Sequence, residues 1–194
     1  MRTTIKVLAR EHLALNGIAR ILKIDANLIR DGKVVSHELL DDIVTYIREF
    51  PNKIHHPKEE NFLFKAMRER SEETHEVLDH LYEEHEREYE MIEYFSKALA
   101  DYKVNPRKEA KVFAQIAIEY AEFLEGHIRY ENSNAFPLAN AVLTEEDWEK
   151  IDVAFADNKD PISNPDEMKK FADLHHRIMD LGLPPFDIKH KDRT

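Results

Sequence analysis

Apolar residues recur at intervals of three and four along most of the chain, and this spacing predicts long amphipathic helices. The first predicted helix spans residues 5–30, and its apolar stripe contains His12 where a leucine would be expected. A second helix begins after Ser36, which is a suitable N-cap, and continues to about Arg70. Both helices are therefore expected to bury one face against other helices.

Two further helices follow the same pattern. The third begins near Ser71 and the fourth follows Asn105. Pro51 and Pro57 should kink the second helix, because proline lacks the backbone N–H that a helical turn uses. Four long helices with short connections predict an all-α fold, namely an up-down-up-down four-helix bundle.

The last part of the chain breaks this pattern. We expect residues 1–143 to form the bundle and residues 144–194 to form a helical extension, packed on the bundle or trailing it. Within the extension a short helix begins at Thr144, a polar linker spans 157–165, and a sixth helix spans 166–181. The proline-rich end is expected to fray.

Composition narrows the classes of function. Charged residues make up 35% of the 194 residues, and the net charge is −11. Without a Lys/Arg-rich block, such a chain is not expected to bind nucleic acid or anionic membrane surfaces. No stretch has the length of a membrane span or the apolar core of a signal peptide. The absence of cysteine removes disulfides, thiolate metal sites and thiol catalysis. We therefore expect a soluble, cytoplasmic protein.

A short motif occurs twice, in the second and fourth predicted helices. His55, Glu59 and Phe64 match His127, Glu131 and Phe136, each pair 72 residues apart. A histidine and a glutamate four residues apart project from one face of a helix and can bind the same ion. Two such helices together offer nitrogen and oxygen ligands, a set that suits iron, manganese or zinc better than calcium or magnesium.

The first copy of the motif allows two registers. His56 and Glu60 have the same spacing as His55 and Glu59. The alignment with the second copy favours His55 with Glu59, since Asn132 stands where a match for Glu60 would fall.

Each predicted bundle helix places one histidine on its inward face, and these are His12, His55, His85 and His127. On the third helix His75 and His80 compete with His85, but His75 lies near the helix start and His80 on the polar side. A single inward histidine usually indicates a hydrogen-bonded core residue. Four histidines with two glutamates would be costly to bury without a common partner. A bound cation removes that cost, so the sequence favours a metal site.

This ordered set of residues resembles the hemerythrin-like HHE cation-binding domain. The resemblance covers roughly residues 5–143 and rests on His12, His55, Glu59, His85, His127, Glu131 and the pair Phe136-Pro137. It implies a four-helix bundle around a non-haem di-iron centre, with those six His and Glu side chains as metal ligands. By resemblance, Glu59 and Glu131 would bridge the two irons, and zinc or manganese would be substitutes.

Two positions depart from the oxygen-carrying hemerythrins. Those proteins have a second histidine on the third helix, four residues before the match to His85, where this chain has Leu81. They also have an aspartate five residues after the match to His127, where this chain has Asn132 and uses Glu131. The set resembles the four-histidine, two-glutamate variant of bacterial hemerythrin-like proteins. That resemblance implies open positions for O₂, peroxide or NO rather than simple reversible O₂ carriage.

The expected function is a di-iron protein that binds or reacts with O₂, NO or peroxide in sensing, detoxification or iron handling. Tyr82, Tyr89 or Tyr130 would orient ligands or supply protons, whereas the glutamates on either side of His85, namely Glu83, Glu84 and Glu86, are expected to be mostly solvated. Whether the protein turns over substrate as an oxidase or peroxidase stays open. The alternative is a metal-stabilised interaction or iron-sensing module, whose tail helices bind a protein partner or a second copy of the chain.

Overall fold

The structure is a computed structural model that describes residues 2–156 and 165–182. Within that part of the chain all regular secondary structure is helical. The α-helices are α1 (Thr3–Arg30), α2 (His37–Phe50), α3 (His56–Lys58), α4 (Lys65–Arg70), α5 (His75–Val104), α6 (Pro106–Tyr130), α7 (Phe136–Val142), α8 (Glu145–Ala156) and α9 (Pro165–Gly182). Residues 157–164 of the predicted linker and the end of the chain at 183–194 lie outside the described residues, and Pro165, the last residue of that linker, begins α9.

Two of the four long helices contain widened turns. Helix α2 continues through α3 into α4 by way of π-helical segments at Pro51–His55 and Glu59–Phe64, and α6 continues into α7 through one at Glu131–Ala135. The sequence predicted kinks at Pro51 and Pro57. Pro51 begins the first of these wider turns, and Pro57 lies in α3, between the first turn and the second. The second long helix ends at Arg70, as predicted.

The helix ends follow local rules. Gly32, which follows α1, has a φ of 76°, a left-handed conformation that glycine adopts without steric cost. Ser36 caps α2, since its side chain accepts a hydrogen bond from the backbone N–H of Leu39 at 3.3 Å. Asn105 caps α6 in the same way through the N–H of Lys108 at 3.4 Å.

The four long helices pack as a closed bundle. Helix α1 lies against α6, α6 against α5, α5 against α2, and α2 contacts α1. The all-α bundle predicted from the sequence is therefore confirmed. Its interior has two apolar regions. We call the first the distal core; it includes Ile29, Phe95, Tyr102, Phe113 and Tyr120. We call the second the proximal core; it includes Leu8, Phe64, Leu81, Phe136 and Trp148.

Both described helices of the extension pack on the bundle. Trp148 and Ile151 of α8 belong to the proximal core. Helix α9 lies on α1 and α2, where Phe171 and Leu174 are buried. Of the two arrangements that the sequence left open for the extension, these helices take the packed one. Among the described residues no helix is both long and apolar enough to cross a membrane.

Candidate metal centre

Seven buried His and Glu side chains meet inside the bundle, next to the proximal core. They form two groups, and within each group the ligand-type atoms all lie within 4.8 Å of one another. The mixed group consists of His12, His55, Glu59 and Glu131, and the histidine group consists of His56, His85 and His127. The structure thus brings together all six residues that the sequence predicted and adds His56.

The structure brings both His55 and His56 into the centre. Successive residues of a helix point about 100° apart, so His55 and His56 cannot face the same ion from one regular face. Because the centre lies between four helices, both directions lead into it. His55 enters the mixed group, and His56 enters the histidine group, where its ring stacks on that of His85 with centroids 3.7 Å apart. His56 thereby gives the histidine group a third imidazole, which Leu81 on α5 cannot supply.

Glu59 connects the two groups. Its Oε1 lies 3.3 Å from His55 Nε2, and its Oε2 lies 3.7 Å from His85 Nε2. Two ligand atoms that each lie about 2.1 Å from one ion, at angles of about 90–110°, are roughly 3.0–3.4 Å apart. The separations of 3.3 Å between Glu59 and His55 and of 3.0 Å between His12 Nε2 and Glu131 Oε2 fit this spacing, and the 3.7 Å between Glu59 and His85 is longer. One carboxylate therefore faces a nitrogen ligand of each group with a different oxygen.

Most of the inward polar atoms at the centre are buried without hydrogen-bond partners, whereas Nε2 of His12 and Nε2 of His55 lie 3.2 Å from each other. The atoms without partners are both oxygens of Glu59 and of Glu131, Nε2 of His85 and of His127, and Nδ1 of His56. The approach of Glu131 to His12 is at ion-pair distance but lacks hydrogen-bond geometry. Each buried unsatisfied polar atom costs about 1–3 kcal/mol. A cation bound by these atoms would offset that cost, so the donor set fits a metal ion.

Four imidazoles are held from outside by an acceptor on another helix. The distances are 3.1 Å from His12 Nδ1 to Asn132, 2.9 Å from His55 Nδ1 to Glu11, 2.7 Å from His85 Nδ1 to Glu60, and 2.9 Å from His127 Nδ1 to Glu84. An acceptor at Nδ1 fixes the proton there and leaves the lone pair of Nε2 directed inward, as metal-binding histidines require. These four bonds form a closed ring around the bundle.

Sequence reasoning placed one of these outer residues incorrectly. Glu84 was expected on a solvated face, but it is half-buried and bonded to His127. Among the tyrosines, Tyr89 is 47% exposed, whereas Tyr120 donates a buried hydrogen bond to Glu88 at 2.6 Å. A signal for Glu84 was present, since it directly precedes His85 as Glu11 precedes His12.

Burial and neighbouring charges divide the carboxylates. Burial, with the charge of Glu131 next to it, raises the pKa of Glu59 well above its usual value. Burial opposes ionisation of Glu131 as well, but His12, His55 and His127 outweigh it and lower the pKa of Glu131 to about 2. Burial lowers the pKa of His56 well below its usual value, a shift to which His85 adds. In the absence of a metal, these shifts oppose a charge on Glu59 and on His56 and favour one on Glu131.

Comparison with known families identifies this arrangement. The family model of the hemerythrin HHE cation binding domain matches residues 3–139, which include every residue of both groups. Comparisons with curated proteins and with solved structures gave no match. The match covers well over half of the chain and coincides with the four long helices that hold the two groups. The chain therefore belongs to the hemerythrin HHE cation-binding family.

Proposed function

We propose that this protein holds two non-haem iron ions, one in each group, and that it binds or reacts with O₂, NO or peroxide. The observation that carries the proposal is the position of Glu59, whose two oxygens face His55 and His85 in different groups. A carboxylate so placed would link two ions. Iron, when bound, supplies a redox-active centre with positions open to a small ligand.

The residues around the groups would keep the site dry and rigid. The ring of Phe136 stacks on His12 with centroids 5.5 Å apart, and the ring of Phe64 stacks on His85 at 6.1 Å. Both phenylalanines are buried in the proximal core. They would exclude water from the inward nitrogens, while the four outer acceptors fix the ring orientations. Uncharged diatomic ligands fit such apolar surroundings.

The first experiment is an anaerobic Fe(II) titration followed by desalting, elemental analysis, and absorbance before and after exposure to air, NO or peroxide. We expect two irons per chain and a new near-ultraviolet absorption on exposure. The variant His85→Ala should retain one iron. The matched control is His75→Ala on the same helix, because His75 Nε2 lies 3.4 Å from the backbone carbonyl of Arg68, outside both groups.

Two results would contradict the proposal. If wild-type protein retains no iron after desalting, it does not hold iron in these groups. If it retains iron but its absorbance is indifferent to all three ligands, the second half of the proposal fails.

A second candidate function, an iron-sensing module, is favoured by the contact between the extension and the centre. Phe171 of α9 packs edge-on against Phe50 with ring centroids 5.5 Å apart, and Phe50 stacks on His55 at 6.3 Å. A shift of His55 on metal binding would reach α9 through one phenylalanine. Hydrogen exchange of residues 165–182 with and without metal tests this. Greater protection with metal supports sensing, whereas equal protection in both states excludes it.

A further inference from the structure

The orientation of His56 differs from that of the other four imidazoles. Each of those four has an acceptor at Nδ1 and turns Nε2 inward. In His56 the roles of the two ring nitrogens are reversed. Its Nε2 lies 3.4 Å from Oε2 of Glu88, and its buried Nδ1 has no hydrogen-bond partner.

Glu88 is well placed to hold His56 in this orientation. It is 1% exposed on α5, and its Oε2 has no hydrogen-bond partner. Its Oε1 accepts the hydroxyl hydrogen of Tyr120 at 2.6 Å, and Tyr120 is itself 1% exposed. Tyr120 thus fixes the carboxylate from α6 and leaves one oxygen for His56. A neutral imidazole whose Nε2–H points at a carboxylate presents the lone pair of Nδ1 on its other side.

The internal repeat shows that this polar pair is an addition to the centre. The two halves of the bundle correspond at an offset of 72 or 73 residues, which relates His55 to His127 and His12 to His85. At the same offsets, His56 corresponds to Ile128 and Glu88 to Leu15. Both counterparts are buried apolar residues. Apolar residues at these two positions are sufficient for packing in one half of the bundle. Packing therefore does not require the histidine and the glutamate in the other half.

We propose that His56 binds the ion of the histidine group through Nδ1, and that Glu88, held by Tyr120, is the positioning residue that accepts its Nε2–H. This inference rests on the proposed function, since it requires a metal ion in that group. The stacking of His56 on His85, with 14° between the ring planes, already restrains the plane of the ring. The residue that holds one nitrogen then decides which nitrogen faces the ion. We expect the separation between His56 and Glu88 to shorten when the ion binds.

The test uses the full chain, labelled with ¹⁵N and loaded with zinc, a diamagnetic ion that accepts the same nitrogen and oxygen ligands. Long-range proton–nitrogen correlation spectra distinguish metal-bound from protonated ring nitrogens, and the spectrum of His56→Ala assigns the signals of His56. We expect zinc to be bound by Nδ1 in His56 and by Nε2 in His12, His55, His85 and His127. A metal-bound Nε2 in His56, or a His56 that binds no zinc in the loaded protein, overturns the inference alone. Failure to retain any zinc overturns it together with metal binding.

Variants of Glu88 supply a second, independent measurement. In Glu88→Gln the side-chain amide can donate a hydrogen bond to Nε2 of His56. The ring proton then moves to Nδ1, so Nδ1 no longer has a lone pair for the metal ion. Loss of an outer partner typically reduces metal affinity about 10–100-fold. We expect Glu88→Gln to weaken one of two zinc-binding steps by that factor and Tyr120→Phe to weaken the same step less.

The matched control is Glu90→Gln, an exposed glutamate on the same helix, which should leave both steps unchanged. Circular dichroism confirms that each variant is folded. Equal weakening of both steps, or no weakening in folded Glu88→Gln, would show that Glu88 does not position His56.

Discussion

The distal core is built from regular α-helix and apolar side chains, whereas the metal centre is built from widened turns and buried polar atoms. In the distal core the rings of Tyr102, Phe113, Phe95 and Tyr120 follow one another as stacked pairs, with centroids 4.9–5.7 Å apart. The three π-helical segments of the described residues lie at or beside ligand-type residues. Such segments are often found at functional sites. Packing alone is enough to explain the first region, but not the second.

Each region also contains a buried carboxylate, and the two differ in their surroundings. Asp25 is buried in α1 among the residues of the distal core, and its Oδ2 has no hydrogen-bond partner. Glu59 is buried among imidazoles whose inward nitrogens converge with it. Burial raises the pKa of both side chains. Only Glu59 has neighbours that could share a cation with it, so metal should relieve the cost of burial at Glu59 and not at Asp25.

The largest effect is expected from Glu59→Ala, which removes the side chain that faces both groups. We expect the number of irons retained per chain to fall from two to none after desalting, by elemental analysis. The control is Glu69→Ala on the same long helix, where the side chain is exposed. Retention of two irons by Glu59→Ala would show that Glu59 does not link the two ions.

The next effect concerns the distal core. Phe113 is 1% exposed and stacks on both Phe95 and Tyr102. Replacing a buried phenylalanine by alanine typically costs about 3–5 kcal/mol, through lost contacts and a cavity. We therefore expect Phe113→Ala to lower the free energy of unfolding by that amount in urea titrations, while two irons are still retained. Val112→Ala, at an exposed neighbour, should have little effect, and loss of iron in Phe113→Ala would break the separation of the two regions.

Replacing Asp25 should raise the free energy of unfolding at high pH, whereas Phe113→Ala should lower it. Burial raises its pKa from 3.8 to about 7 in the folded protein, so its contribution to stability is present below pH 3.8 and is lost as the pH rises through about 7. Asparagine stays neutral. We expect Asp25→Asn to unfold with a free energy about 2–4 kcal/mol higher than wild type at pH 8, and with no difference near pH 3. Urea titrations of metal-free protein at both values measure this, and a gain that is equal at both would exclude ionisation as its cause.

The smallest effect is expected from the outer ring of acceptors. Glu84→Gln weakens the bond that holds Nδ1 of His127, at 2.9 Å in the structure. We expect metal affinity to fall about 10–100-fold without loss of stoichiometry at saturating metal. Calorimetric titration of Glu84→Gln against Glu83→Gln, an exposed neighbour, isolates this effect. If the two variants bind metal equally well, the ring bonds are not needed to orient the imidazoles.

Much of the molecule could be predicted from local spacing. The periodicity placed the end of the second long helix at Arg70, and the repeated motif identified residues that the structure brings into two adjoining groups. The predicted family is confirmed by the match over residues 3–139. These features depend on residues three, four or 72 positions apart, which a sequence displays directly.

The remaining features depend on contacts between helices. His56 was set aside because the alignment with the second copy of the motif favoured His55, whereas a centre enclosed by four helices receives both. Glu84 was read as solvated because its partner, His127, lies on a different helix. Glu88 could have been noticed, since it lies three residues after His85 and four before the buried Ile92. Its link to Tyr120 could not, because the two are 32 residues apart.

The closed ring of outer bonds has a consequence for how the chain could be divided. Glu11 holds His55 and Glu84 holds His127, each within one pair of helices, whereas Glu60 holds His85 and Asn132 holds His12 across the two pairs. Residues 3–70 and 75–142 are thus two corresponding hairpins, each with two of the four ring acceptors. Neither hairpin completes either group by itself, because Glu131 joins the mixed group from the second hairpin and His56 joins the histidine group from the first. Two hairpins produced separately would have to associate before either group could be complete. A metal ion that binds residues of both hairpins would then favour their association.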